Sequence, residues 1–105
     1  MNYKIQFDNL EWIEPKKGMR YKLFAKNGEQ VRLIEIEGEF EHPDWCLKGH
    51  IGFMIEGEMD IEFENSTESY KVGDVLFIPD GEEHKHKPKA KTSRVKFVSV
   101  EKVET

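Results

Sequence analysis

Hydrophobic and polar residues alternate along much of the chain. Met59, Ile61 and Phe63 are separated by acidic residues, and the N-terminal segment from Tyr3 to Phe7 has the same period of two. This period indicates β-strands with one buried and one solvated face. Further candidate strands cover residues 20–24, 31–37, 50–55, 70–72, 75–78 and 94–100. No long window keeps a helical period, so the chain is predicted to be all-β.

Turn-forming dipeptides separate these short segments. They are Asn27-Gly28, Glu56-Gly57, Asn65-Ser66 and Gly73-Asp74. Short strands at even spacing with turns between them favour a sandwich or a small barrel. A length of 105 residues suits a single domain over residues 1–105 with one modest core.

Two of the candidate strands are apolar on both faces. In residues 50–55, Ile51, Phe53 and Ile55 lie opposite His50, Gly52 and Met54, and residues 75–78 are apolar throughout. One face of each strand is predicted to line the core, and the other needs a cover. The N-terminal strand or a second subunit could supply it, and we expect a homodimer.

Composition narrows the function classes. Charged residues make up 35% of the chain and the net charge is −5, which argues against nucleic acid as a partner. A single cysteine excludes an intrachain disulfide and suits a reducing compartment. No apolar segment approaches the ~20 residues of a membrane span. We therefore expect a soluble, cytoplasmic protein with no membrane partner. The polar tail from Glu101 to Thr105 is expected to fray.

The segment from Gly73 to His84 is the most informative part of the chain. An apolar run ends at Pro79, and Gly81 then provides a turn. If the chain resumes as a strand directly after this turn, His84 and His86 share one face because residues two apart point the same way. This pattern predicts a site built around the two imidazoles.

The spacing of this segment resembles the second motif of the cupin superfamily. Gly73, Pro79, Gly81 and His84 match it in full, although Pro88 stands where the motif usually closes with Asn. The resemblance implies a cupin double-stranded β-helix, a small jelly-roll-like barrel. In cupins the histidine of this motif binds a metal ion, and such barrels commonly dimerise through their sheet faces.

The first cupin motif is only half present. Gly57 fits its final glycine, but His50 stands at the position of the usual Glu. The two positions of its His-x-His element fall on Asp44 and Cys46. The resemblance therefore implies a metal site formed by Asp44, Cys46, His50 and His84. These ligand types suit Zn, Fe, Mn or Ni as a divalent ion of unknown identity.

Simpler interpretations stand beside this one. Cys46 could be an inert buried thiol, and Asp44 could only cap a turn. His86 is predicted to lie in the pocket as a hydrogen-bonded histidine rather than a metal ligand. Met54, on the same strand face as His50, is also assigned to the pocket.

Three functional hypotheses follow. The first is a metal-dependent small-molecule enzyme, such as an oxygenase, isomerase or decarboxylase. The second is a non-catalytic module that binds a small molecule, with a structural metal or none. The third makes Cys46 a redox or nucleophilic residue activated by neighbouring histidines. No residue is assigned a catalytic role from the sequence.

Overall fold

The computed structural model describes residues 3–103 and is built almost entirely from β-strands. Two 3-10 helices, Phe7–Asn9 and Glu82–His84, are the only helical segments among these residues. The strands are β1 (Ile13–Lys16), β2 (Met19–Lys26), β3 (Glu29–Glu37), β4 (His50–Glu56), β5 (Met59–Phe63), β6 (Thr67–Tyr70), β7 (Val75–Ile78), β8 (His86–Ala90) and β9 (Arg94–Lys102). The prediction of an all-β fold is confirmed.

The strands form two antiparallel sheets with the core between them. The larger sheet has the order β1-β2-β3-β9-β4-β7, and the smaller has the order β6-β5-β8. Their facing sides bury the apolar residues that the alternation predicted to point inward. The most deeply buried side chains are Ile36, Met54, Met59, Ile61, Leu76, Val95 and Ser99. None of the helices in the described range is long and apolar enough to cross a membrane.

A tight hairpin sets the register of the larger sheet. Lys26 pairs with Glu29 across a two-residue turn, and Asn27 and Gly28 both have positive φ angles, 54° and 79°. A turn with two positive φ angles matches the twist of the flanking strands, and Asn-Gly is its preferred sequence. The turn predicted at this dipeptide is therefore present, and it sets the pairing of β2 with β3.

The N-terminal segment differs from its prediction. Residues 3–6 form no strand, and Phe7–Asn9 is a 3-10 helix whose Phe7 carbonyl accepts a hydrogen bond from Lys22 Nζ at 2.9 Å. Farther along, the Arg20 guanidinium lies 3.9 Å from the centre of the Trp12 ring. These contacts hold the segment against β2. The alternation of residues 3–7 therefore belongs to a segment that packs on the sheet and is not one of its strands.

Two other boundaries also differ. The strand predicted at residues 70–72 is β6, Thr67–Tyr70. The expectation of a frayed tail from residue 101 is wrong in part, because Glu101 and Lys102 belong to β9 and Glu101 is buried. Residues 104 and 105 of the predicted tail lie outside the described residues.

A close approach of two loops fixes the start of β4. A side chain at Gly49 would overlap the Ile78 carbonyl oxygen, so only glycine fits there. The Gly49 amide donates to Asp80 Oδ1 at 2.6 Å, and the Gly81 amide donates to the Leu47 carbonyl at 3.0 Å. These bonds tie the loop before β4 to the turn after β7, and they position His50 as the first residue of its strand.

Candidate functional site

A small cavity of about 70 Å³ lies between the two sheets. Most of its wall is apolar, but several polar side chains converge on it. The polar lining residues are Arg32, His42, Cys46, His50, His86 and Glu101. The imidazoles and the thiol are the groups with acid–base, metal-binding or nucleophilic chemistry, so this cavity is the candidate site.

The centre of the site is a chain of hydrogen bonds through two histidines. His50 Nε2 lies 3.2 Å from His86 Nε2. The other nitrogen of each ring is also occupied: His50 Nδ1 lies 3.2 Å from Ser99 Oγ, and His86 Nδ1 lies 3.0 Å from the His84 carbonyl oxygen. Both rings are therefore held in place through Nδ1, and their Nε2 atoms face each other.

These partners determine the tautomers of two neutral rings. A carbonyl oxygen only accepts, so His86 carries its proton on Nδ1 and leaves Nε2 as an acceptor. His50 must then donate from Nε2, and its Nδ1 accepts from the Ser99 hydroxyl. The result is a satisfied, directional relay from Ser99 through His50 and His86 to the backbone at His84.

The surroundings shift the pKa values of the two imidazoles in opposite directions. Burial, followed by the nearby positive charge of His86, lowers the pKa of His50 to about 4. His50 is therefore neutral at physiological pH. Burial also acts to lower the pKa of His86, but hydrogen bonds with Cys46 and with the His84 carbonyl outweigh it and raise that pKa above its ordinary value. Any proton taken up by the pair near neutral pH goes to His86.

Cys46 reaches the site from the loop before β4. Its backbone forms an isolated bridge with His86, with N···O distances of 2.8 and 3.1 Å. Hydrogen bonding to His86 lowers the pKa of the Cys46 thiol by stabilising the thiolate, and this effect outweighs the opposing effect of burial. It acts when His86 is protonated, since the neutral ring uses both of its nitrogens elsewhere. The residue is solvent-exposed on one side and lines the cavity on the other. It is therefore a free thiol with access to reagents and to the imidazole pair.

An ion pair closes one side of the cavity. Arg32 Nε and Nη2 donate to the two carboxylate oxygens of Glu101 at 2.5 and 3.0 Å, and Gln30 Nε2 donates to the same carboxylate at 2.7 Å. Burial acts to raise the pKa of Glu101, but these hydrogen bonds lower it below its usual range. The carboxylate is ionised and fully hydrogen-bonded, so it contributes charge to the cavity wall rather than a vacant oxygen.

His42 is the one polar group at the site that lacks a partner. Its Nε2 atom is buried and makes no hydrogen bond within the described structure. Burial, with contributions from Lys16 and His86, lowers its pKa, so the ring is neutral. His42 also lines a more open and more polar depression with Glu41, Asp60 and Lys87. It therefore lies between the inner cavity and the surface.

The structure brings together only part of the predicted ligand set. Cys46 and His50 line the cavity as expected, and His86 joins them. Asp44 is exposed in an irregular segment and does not line this cavity. Met54 is fully buried in the core but does not line this cavity.

His84 also departs from its predicted position. Gly81 has a φ of 125°, and residues 82–84 then form a 3-10 helix in which the His84 amide donates to the Gly81 carbonyl. Strand β8 begins only at His86, so the two histidines do not share a strand face. The His84 side chain is 40% exposed, and its Nε2 lies 3.7 Å from Glu83 Oε1. Its carbonyl, rather than its ring, contributes to the site.

No group of three or more His, Cys, Asp or Glu side chains in residues 3–103 is arranged to hold a metal ion. The metal site expected from Asp44, Cys46, His50 and His84 is thus not assembled by those four residues. What the structure brings together is the facing pair His50 and His86, with Cys46 and His42 on the same cavity wall.

Three further residues of the site, Arg32, Ser99 and Glu101, were not predicted from the sequence. The sequence of β9 could have indicated two of them. Phe97, Ser99 and Glu101 are spaced two apart, so they share one face of the strand, and that face is buried. Two polar residues in an inward-facing series predict hydrogen-bonded partners inside the fold.

Comparison with known families gives one match over nearly the whole chain. Residues 6–102 match the family described as ethanolamine utilisation protein EutQ. No curated protein sequence matches the chain closely enough to count as a relative.

Several solved structures share the fold. A cupin-2 domain protein from Shewanella frigidimarina is 28% identical, with a TM-score of 0.65 over 78% of each chain. KdgF from a Halomonas species is 17% identical, with a TM-score of 0.76 over 93% of this chain and 92% of its own. A candidate ethanolamine utilization protein Q from Salmonella typhimurium is 20% identical, with a TM-score of 0.67 over 83% of this chain and 71% of its own. The predicted cupin fold is confirmed.

Proposed function

We propose that the cavity of this chain, which belongs to the EutQ family of cupin-like proteins, binds a small molecule. A divalent metal ion held by His50 and His86 would be bound together with it. The observation that carries the proposal is the facing pair of Nε2 atoms, 3.2 Å apart. Two imidazole ligands of one tetrahedral ion, each about 2.0–2.1 Å from it, are separated by about 3.3 Å. The pair is thus already spaced for a shared ion.

The chemistry of the surrounding groups also fits a metal. Histidine ligands usually donate their second ring nitrogen to a fixed partner, and both Nδ1 atoms here have one. Binding an ion would require only that His50 carries its proton on Nδ1 instead of Nε2, where this N–H can donate a hydrogen bond to the Ser99 hydroxyl oxygen. His86 already presents an unprotonated Nε2 in its neutral tautomer.

No third His, Cys, Asp or Glu side chain of residues 3–103 is arranged to complete the site. Cys46 or His42, on the same cavity wall, would have to move towards the ion, or water and the ligand would supply the remaining donors. A buried polar nitrogen without a partner costs about 1–3 kcal/mol, so a bound group that satisfies His42 would stabilise the protein. A bound ion would supply Lewis-acid chemistry or a site for a substrate oxygen.

The size and lining of the cavity restrict the ligand. A volume of about 70 Å³ compares with the ~30 Å³ that one water occupies in the liquid, so the ligand is very small. Its wall is mostly apolar, with polar groups grouped around the histidine pair. The family is named for ethanolamine utilisation, and a compact amino alcohol of that kind is of suitable size. We place the protein in the cytoplasm, where the free thiol of Cys46 stays reduced.

Metal titration tests this proposal directly. The protein, first stripped with a chelator, is titrated with Zn²⁺, Fe²⁺, Mn²⁺ and Ni²⁺ by calorimetry. His50→Gln and His86→Gln are expected to weaken binding by more than about tenfold. His84→Gln and Asp44→Asn are the matched controls, because their side chains lie outside the cavity lining, and they are expected to bind as the parent does. Absence of binding for all four ions, or loss of binding in the two controls alone, would overturn the proposal.

A metal-free binding module is the second candidate. The relay from Ser99 to the His84 carbonyl is satisfied without an ion, and this observation favours it. In this case ethanolamine and similar small molecules raise the melting temperature in the presence of chelator, and His42→Phe abolishes the shift. A shift that requires metal would reject this candidate in favour of the first.

A further inference from the structure

One wall of the inner cavity also borders a larger depression on the protein surface. His42 and Pro88 line both spaces, so these two residues separate them. The depression has a volume of about 400 Å³, and much of its border consists of charged side chains from β5 and β8. They are Asp60, Glu62, Lys87 and Lys89. Passage between His42 and Pro88 would therefore connect the histidine pair with solvent.

Another wall of the cavity faces a second surface depression. Cys46 lines the cavity on one side and this depression on the other, together with Leu47, Lys48, Asp80 and Gly81. A small molecule thus has two candidate routes to the histidine pair, one between His42 and Pro88 and one past Cys46. The two walls differ in how firmly they are held.

The wall at Cys46 is held by backbone hydrogen bonds on both sides. Cys46 and His86 exchange two of them, with N···O distances of 2.8 and 3.1 Å. The Gly49 amide donates to Asp80 Oδ1 at 2.6 Å, and the Gly81 amide donates to the Leu47 carbonyl at 3.0 Å. This wall cannot move unless several of these bonds break together.

The wall at His42 belongs to residues 41–45, which we call the strap. Within the described part of the chain, no backbone–backbone hydrogen bond involves the strap. Its side chains make weak contacts with residues 85–89. Glu41 pairs with Lys89 at 3.6 Å where both groups are exposed, and the amines of Lys85 and Lys87 lie 5.4 and 4.7 Å from the centre of the Trp45 ring. Exposed ion pairs and exposed cation–π contacts each stabilise a structure only slightly.

The unpartnered nitrogen of His42 also favours movement of the strap. His42 Nε2 is buried without a hydrogen bond in the closed position, and an unpaired buried polar atom destabilises that position. Movement of the strap into solvent would let water bind this nitrogen. The ends of the strap are anchored, because Phe40 is buried in the core and Cys46 is bridged to His86. Movement is therefore confined to residues 41–45.

We infer that the strap is the movable wall of the cavity, and that a small molecule enters from the depression beside β5 and β8, between His42 and Pro88. A segment without backbone hydrogen bonds opens locally at a low free energy, whereas the hydrogen-bonded wall at Cys46 opens only with more of the fold. The inference concerns the same cavity as the proposed function but does not depend on what occupies it.

Alkylation of a thiol placed inside the cavity measures which wall opens. In a Cys46→Ser background, Ile61→Cys provides the only thiol of the chain, at a cavity-lining position that is 1% exposed. When opening and closing are fast, the rate of alkylation by iodoacetamide follows the population of the open form.

Trp45→Ala removes the ring that contacts Lys85 and Lys87 and is expected to raise the alkylation rate about fivefold or more. Trp12→Ala is the matched control, since Trp12 also stacks on two cations but lies against β2, and its rate is expected to stay at the parent value. Asp80→Ala loosens the wall at Cys46 and is expected to change the rate by less than about twofold. A larger increase in Asp80→Ala than in Trp45→Ala, or equal rates in Trp45→Ala and Trp12→Ala, would overturn the inference.

Low concentrations of urea separate movement of the strap from unfolding of the whole protein. Opening of five residues exposes little surface, so the alkylation rate is expected to stay constant in urea below the unfolding transition. A rate that rises with the slope of global unfolding would mean that the cavity is reached only through unfolding, and the inference would fail. If Ile61→Cys does not fold, Met59→Cys places the thiol on the same cavity wall. All rates are measured with chelator and without added ligand, so their outcome is independent of the proposed metal and small molecule.

Discussion

His50 Nε2 and His86 Nε2 lie 3.2 Å apart at the centre of the cavity, and each ring is held through its other nitrogen. The two residues come from β4 in the larger sheet and β8 in the smaller one. Their contact therefore joins the two sheets through polar groups between largely apolar core side chains. The strength of this contact depends on the protonation of the two rings, on the hydrogen bond from the Ser99 hydroxyl and on the loop that precedes β4.

Acidification is expected to destabilise the protein through His50. Its pKa is about 4 in the folded protein and about 6.5 when unfolded, so between these values the unfolded chain binds the extra proton. The stabilisation from a neutral His50 is complete above pH 6.5 and is lost as the pH falls towards 4, by up to about 3 kcal/mol. His86, with its raised pKa, acts in the opposite direction and at higher pH.

Urea unfolding at several pH values measures this dependence. His50→Gln is expected to flatten the fall in stability between pH 6.5 and 4, because glutamine does not titrate. The same substitution at exposed His84 serves as the control and should preserve the slope. An identical slope in the parent and in His50→Gln would show that another group is responsible.

Ser99→Ala removes the hydroxyl that donates to His50 Nδ1. Ser99 is fully buried, so the loss of this bond is expected to destabilise the protein by about 1–2 kcal/mol. The His50 ring keeps the tautomer that His86 Nε2 fixes, but its Nδ1 loses the donated hydrogen bond, which nitrogen NMR of the imidazole detects as a shift of the Nδ1 signal. Ser69→Ala is the control, because its hydroxyl bonds Asp60 at an exposed site. An unchanged Nδ1 signal of His50 in Ser99→Ala would show that the hydroxyl does not donate to this ring.

Arg32→Met is expected to destabilise the protein by about 2–4 kcal/mol, because it leaves the Glu101 carboxylate buried without its counterion. Neutralising that carboxylate as well, in Arg32→Met/Glu101→Gln, should recover part of the loss. Arg94→Met breaks an exposed ion pair with Glu56 and should change little. Chemical denaturation of the four proteins checks these values, and a double variant less stable than Arg32→Met would contradict the account.

Gly49→Ala is expected to displace the start of β4. The added methyl group would overlap the Ile78 carbonyl, so the loop must shift at a cost of about 2–3 kcal/mol. Because His50 is the next residue, its NMR signals and its contact with His86 should change together with the melting temperature. Leu47→Ala, an exposed change in the same loop, is expected to leave both as they are. Normal stability in Gly49→Ala would mean that the loop is not closely packed.

Alkylation by iodoacetamide reports on Cys46. Since the hydrogen bond from His86 lowers the thiol pKa, His86→Gln is expected to slow the reaction at pH 7 several-fold. A divalent ion bound at the proposed site should protect the thiol until a chelator is added. A slow rate that responds neither to His86→Gln nor to the chelator would identify Cys46 as an inert thiol.

The fold and part of the site were predictable because the informative patterns are local. Alternation within β4 correctly placed His50 on the inner face, and Asn27-Gly28 correctly marked a hairpin. However, alternation predicts which side chains share a face only within one strand. It does not predict their orientation after a turn whose type is unknown. The 3-10 helix before β8 turned His84 outward and made His86 the inward residue.

The remaining site residues depend on contacts that local patterns do not encode. Arg32 and Glu101 are separated by 69 positions and meet only because β3 pairs with β9. Asp44 was placed by motif spacing, but no strand forms around it to orient its side chain. The pairing of strands, rather than the order of residues, decides which polar groups share the cavity.

The burial of Glu101 has a practical consequence for shortening the protein. This carboxylate sits two residues from the last described position, yet it neutralises a guanidinium at the cavity wall and accepts from Gln30. Trimming the chain back to residue 100 would strip the charge that Arg32 needs, whereas trimming to residue 103 would keep it. Carboxypeptidase digestion is therefore expected to stop sharply before Glu101. Removal of that residue would destabilise the whole barrel and not only its C-terminal end.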